Sequence, residues 1–144
     1  MEQSEFGRKL AALRRAVDGW QALQNAATDG LTAVQIDGIQ NGLLQKFEYS
    51  WEMMWKTCRK YLLEIHAEET NFAKVCIQKM FLLHKISEAD FTMLEAAQKD
   101  RNLMSHIYDE AAFKEILGRL PQYLEVIKAV LEVLEVEYDQ FIKK

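Results

Sequence analysis

Residues 109–141 read DEAAFKEILGRLPQYLEVIKAVLEVLEVEYDQF, and this stretch decides the fold. Phe113, Leu117, Leu120, Leu124, Ile127, Leu131, Leu134, Tyr138 and Phe141 step by four and three without a slip. Such a heptad seam belongs to helices that lie side by side in coiled coils and bundles. Asp109 carries an N-cap side chain, and Glu110 suits the positive start of a helix. Gly118 and Pro121 interrupt the backbone but not the spacing. A proline removes the N–H that would meet the carbonyl four residues earlier, here that of Leu117. The expectation is one helix kinked near Leu117, not two helices.

Upstream, the same period recurs and strict alternation is rare, which predicts helices and no sheet. A first helix is expected over about Glu5–Ala27, with Phe6, Leu10, Leu13, Val17 and Trp20 as its buried stripe. Thr28-Asp29-Gly30 stops it. Thr32 then caps a second helix, with Gln35 as capping-box partner. That helix runs to about His66, roughly 50 Å at 1.5 Å per residue. Its apolar face is broad. Ile39, Leu43, Phe47, Met54, Cys58, Tyr61 and Ile65 form one line; Leu44, Trp51, Trp55 and Leu62 form a second. Two readings fit: a central core helix, or one that also supplies part of a homodimer surface. Gly38 and Gly42 either allow close backbone approach near its start or weaken that end. A short third helix is expected over Asn71 to about His84, with Phe72, Val75, Cys76, Met80 and Leu83 inward. Ser87 caps a fourth, which runs from Glu88 towards Ser105 with Phe91, Leu94 and Ala97 inward. With no linker or repeat visible, residues 1–144 read as one all-α domain, an antiparallel up-and-down bundle of about five helices.

A hydrophobic fraction of 49% with 28% charged residues is an ordinary soluble composition. No apolar run approaches the roughly 20 residues a membrane span needs. Met1–Glu5 has neither the basic nor the apolar region of a signal peptide, so a cytoplasmic location is expected. Cys58 and Cys76 sit apart among apolar neighbours and read as buried small hydrophobes. His66, His84 and His106 never pair at helical spacing, so neither a metal site nor another cofactor is expected. A net charge of −4 argues against a general nucleic-acid coat but leaves room for a local groove. Lys56, Arg59, Lys60, Lys85, Lys99 and Arg101 are candidates to line one.

Chemistry is concentrated in Arg101-Asn102-Leu103-Met104-Ser105-His106-Ile107-Tyr108. Arginine offers a permanent cation with a planar fork that fits phosphate. Histidine exchanges a proton near neutral pH. On a helix, Asn102 and His106 share one face, and Arg101, Ser105 and Tyr108 another. Arg101 and His106 are then about 140° apart. They reach one phosphate if the arginine bends round, if the helix ends near His106, or if a second copy supplies the missing partner. Such a set suits metal-independent phosphodiester cleavage. His106 moves a proton, Arg101 stabilises the phosphoryl charge, and Asn102 orients the ring or bonds phosphate. Glu48 and Glu52 lie one turn apart, and Glu52 with Lys56 reads as an ordinary i,i+4 pair.

Residues 101–108 resemble the R-x-x-x-x-H-x-Y motif of the HEPN superfamily, most closely its HepT-like branch of nucleotidyltransferase substrate-binding proteins. Phe47-Glu48-Tyr49-Ser50-Trp51-Glu52-Met53-Met54-Trp55-Lys56-Thr57 is similar to that branch's F-E-[FY]-x-x-E-x-x-W-K-x helix. The resemblance implies an antiparallel bundle that dimerises, so that the Arg and His of two subunits share a cleft. It implies a ribonuclease toxin of a two-gene toxin–antitoxin module, acting on RNA and partnered by a minimal nucleotidyltransferase. In that branch the partner can transfer AMP to the motif tyrosine. Arg101 and His106 then correspond to the catalytic pair, Asn102 to the polar residue beside the arginine, and Tyr108 to the AMP acceptor. The alternative is a non-catalytic substrate-binding subunit of the nucleotidyltransferase. Met80–Ile86 departs from the branch's A-F-x-x-G-L-I helix end, with His84 and Lys85 in place of Gly and Leu.

Overall fold

The computed structural model describes residues 4–106 and 109–144. Among them it contains five α-helices and no strand: α1 (Glu5–Gln24), α2 (Ala33–His66), α3 (Ala73–Leu82), α4 (Glu88–Met104) and α5 (Glu110–Ile142). Side-chain caps fix four of the starts. Ser4 Oγ accepts from the Gly7 N–H at 3.0 Å, Ser87 Oγ from Asp90 at 3.1 Å, and Asp109 Oδ1 from Ala111 at 3.0 Å. Thr32 and Gln35 form the reciprocal box, at 3.2 and 2.9 Å. α3 has no side-chain cap and is shorter at both ends than the sequence suggests.

Cross-helix contacts give the directions. Phe6 donates its N–H to Glu64, so α1 and α2 run antiparallel. Phe6, Arg14 and Gln21 meet Tyr138, Glu135 and Lys128 in turn, so α1 and α5 do too. Asp100 near the end of α4 meets Arg119 near the start of α5. The result is an antiparallel helical bundle.

α2 is its central column and touches all four other helices. This accounts for the width of its apolar face. Leu43, Phe47, Met54, Cys58, Tyr61, Leu44, Trp51 and Leu62 are buried, while Ile39, Trp55 and Ile65 are partly so. Phe47 links the layers, 5.9 Å from the Trp20 ring and stacked on Tyr123 at 5.3 Å. Both cysteines are buried and unpaired.

α5 is one helix with Pro121 inside it. Its buried stripe is broader than the heptad seam. Ile116, Tyr123, Val126 and Val130 are buried as well, because α1, α2 and α4 all pack on it. Phe141 is exposed at the end, and Phe113, Leu117 and Tyr138 are partly buried. In α3 the inward set is Cys76, Ile77 and Met80. Phe72 and Val75, expected inside, face out, because α3 is covered only by α2 and α4.

Local backbone explains two oddities of sequence. His84 has φ +58°, in the left-handed region, where the related helix-end pattern carries glycine. The Lys85 N–H returns to the Met80 carbonyl at 2.9 Å and closes that turn. Gly42 is a close approach: a Cβ there would lie 3.2 Å from Leu23 Cδ2. Gly38 meets nothing. In urea denaturation, His84→Gly and Gly38→Ala are each expected to raise stability by about 0.5–1 kcal/mol, and Gly42→Ala by less.

Candidate functional site

The residues nominated at the end of α4 lie at an open edge of the bundle. α4 stops at Met104 with Ser105 as its C-cap, so the helix ends just before His106, one of the arrangements foreseen. The His106 N–H bonds the Leu103 carbonyl at 3.0 Å, and its side chain is exposed, as is that of Asn102. No bond joins Arg101 to His106 among the described residues. Tyr108 lies outside the described residues.

Arg101 turns back onto α2. Its Nη1 donates to Ser105 Oγ at 3.0 Å, the i,i+4 relation expected from spacing. Its Nη2 lies 3.8 Å from both Glu48 Oε2 and Glu52 Oε1. Its Nε is enclosed and donates to no described residue. Of the five N–H donors of a guanidinium, one makes a hydrogen bond to a described residue. The two carboxylates are 42% and 38% exposed, so each pairing contributes at most about 1 kcal/mol. They steer the cation without saturating it. Glu52 also accepts from Trp55 Nε1 at 3.2 Å and pairs with Lys56 at 3.6 Å. The two stretches singled out in the sequence, 47–57 and 101–106, therefore meet in space.

One group that fixes this geometry escapes a reading by residue type. Asp100 is buried and receives Arg119 Nε at 2.7 Å and Nη2 at 3.0 Å, and the Tyr123 hydroxyl as well. Burial, and then the bond to Asp100, pushes the Tyr123 phenol up to about 12. The bond to Asp100 likewise raises Arg119. The available signal was position: Asp100 follows Ala97 by three on the inward stripe of α4, and Arg119 and Tyr123 are one turn apart on α5. Of the six cations considered for one groove, Lys56 and Arg101 meet the same carboxylate, that of Glu52. Lys85 pairs with Glu137 and Lys60 with Glu5.

Residues 6–136 match the family described as nucleotidyltransferase substrate binding protein like. The chain belongs to that family. Solved structures share the fold of this family member. A protein from Thermus thermophilus is 24% identical, with a TM-score of 0.74 over 85% of this chain and 98% of its own. A tri-AMPylated Shewanella oneidensis HEPN toxin in complex with MNT antitoxin is 14% identical, with a TM-score of 0.72 over 94% and 99%. A mutant MntA–HpeT toxin–antitoxin is 14% identical, with a TM-score of 0.71 over 91% and 97%. No curated protein sequence matches significantly. Among the described residues, no helix is long and apolar enough to cross a membrane.

Asp100→Asn is expected to cost about 2–3 kcal/mol in chemical denaturation, since it weakens charged bonds to a buried acceptor. The Tyr123 phenol is raised on folding, so its contribution is complete below pH 10 and is lost as pH rises towards 12. A melting series across that window should fall less steeply for Tyr123→Phe than for the parent.

Proposed function

We propose that this protein is the toxin of a two-gene toxin–antitoxin module, a metal-independent endoribonuclease whose Arg101 and His106 act at a cleft shared by two subunits. Its antitoxin is a minimal nucleotidyltransferase that AMPylates Tyr108. The observation that carries the reading is the Arg101 guanidinium, with a single hydrogen bond to a described residue, held on a scaffold five residues before an exposed imidazole. Membership of the family and the fold shared with a HEPN toxin bound to an MNT antitoxin support it.

In the reaction the RNA 2′-hydroxyl gives its proton to one imidazole and attacks the adjacent phosphorus. The bond from phosphorus to the 5′-oxygen breaks, and an imidazolium returns a proton to that oxygen. A 2′,3′-cyclic phosphate and a 5′-hydroxyl remain. Arg101 offers its free N–H groups to the equatorial oxygens, where the charge grows. Leaving Glu48 and Glu52 costs the guanidinium little, since both pairings are long and partly exposed. Asn102, which is exposed, offers its amide to the same phosphate. Subunit pairing is supported by apolar surface in the same stretches: Tyr49, next to Glu48, is 59% exposed and Leu103 is 36% exposed.

Three measurements test the proposal. Purified protein is expected to cleave RNA in excess EDTA, with His106→Ala and Arg101→Ala each at least about 100-fold slower. Light scattering should return a dimer; a monomer would remove the shared cleft. Absent cleavage with stable capture of a nucleotidyltransferase would favour the non-catalytic subunit. After co-expression with that partner, intact-mass spectrometry should show added AMP on the parent and none on Tyr108→Phe. A Tyr108→Phe protein that still gains the mass would defeat the assignment of the acceptor.

A further inference from the structure

A second concave surface lies on the opposite flank of Glu52. Between α1 and α2 a groove of about 280 Å³ is lined by Arg8 and Lys9 from one helix and Lys56 from the other. Ala12 and Met53 form its apolar wall. Thr57 closes the floor: its hydroxyl donates to the Met53 carbonyl at 2.6 Å and is already committed. Among the described lining residues the one acid, Glu5, is bound to Lys60 at 2.7 Å. Lys60 holds the Glu5 carboxyl below its ordinary range, and Lys9 and Arg8 add to the effect. The lining therefore carries an excess of positive charge on a protein whose net charge is −4. Half-buried Lys9 forms no ion pair with any described residue.

Glu52 connects this groove to the α4 edge. One of its oxygens faces Arg101 at 3.8 Å, and the other faces Lys56 at 3.6 Å. A single carboxylate thus links the guanidinium to Lys56 of the groove. A strand of RNA carries a negative phosphate at every step, and cations spaced along a surface bind it by releasing counterions. An apolar wall beside them suits a sugar or base face.

We propose that the groove between α1 and α2 is a substrate subsite. Lys9 and Lys56 hold a backbone phosphate of single-stranded RNA flanking the bond presented to Arg101 and His106. The identity of the strand rests on the ribonuclease reading above. Within the groove, Lys9 is the informative residue, because removing Lys56 would also strip Glu52 of one of its partners.

The test uses the full-length His106→Ala protein, which keeps RNA intact, and a fluorescein-labelled single-stranded RNA of mixed sequence. Anisotropy titrations at several salt concentrations give affinity and its salt slope. Adding Lys9→Ala should weaken binding several-fold and lower the slope by about 0.7, one phosphate contact to a single strand. Lys9→Arg should restore both. Lys74→Ala, on α3, which does not touch α1, should leave both unchanged. Unchanged affinity and slope in Lys9→Ala, or an equal loss in Lys74→Ala, would overturn the subsite. If parent protein cleaves RNA while Lys9→Ala binds normally, the subsite alone falls. Groove-dependent binding without cleavage by the parent would keep the subsite and remove the nuclease. RNA neither bound nor cleaved would remove both.

Discussion

A carboxylate buried one residue before Arg101 sets where the guanidinium points. Asp100 takes two bonds from Arg119 and one from Tyr123, and so locks the last turns of α4 to α5. Neighbouring side chains on a helix project about 100° apart. With Asp100 turned into α5, Arg101 is turned towards α2, where Glu48 and Glu52 await it. The placement does not depend on the weak pairs themselves. It follows from a strong, buried anchor whose partners cannot be exchanged without exposing an unmet charge.

α2 supplies the other half of the frame. Because four helices cover it, its position is over-determined, and the side chains it presents at the surface inherit that rigidity. Glu52 is the clearest case. It touches Trp55, Lys56 and Arg101 at once, and so links the α4 edge to the Lys56 side of the α1–α2 groove.

Much of this was legible in the sequence. Caps at Thr32, Ser87 and Asp109 act through three or fewer residues, and local spacing reveals them; Ser4 caps α1 in the same way but is not singled out by the sequence reading. The order of the helices follows from apolar period alone. Burial on α5 was read too narrowly. A seam of fours and threes identifies a helix with one partner, whereas Tyr123 and Val130 are covered by further partners that spacing does not count. Phe72 was misplaced for the converse reason: a periodic apolar residue needs a neighbour, and α3 lacks one on that side. At the site, the Arg101–Ser105 bond was legible because it lies within one helix. The partners on α2 and the Asp100 anchor were not, since they join residues 19 or more positions apart. His84 shows a third kind of signal. Its departure from the helix-end pattern falls at a left-handed residue, where an L side chain is tolerated at a cost in strain.

Pro121 gives the anchor a second meaning. Arg119 precedes the proline and Tyr123 follows it, and both reach the same Asp100. The carbonyl of Leu117 has no N–H at position 121 to receive, so α5 lacks an internal rung between the two. Asp100 spans that gap from outside, as a splint spans a weak joint. The turns of α5 on either side of the proline are tied together by the same side chain that aims Arg101, so the joint in one helix and the orientation of the other are coupled.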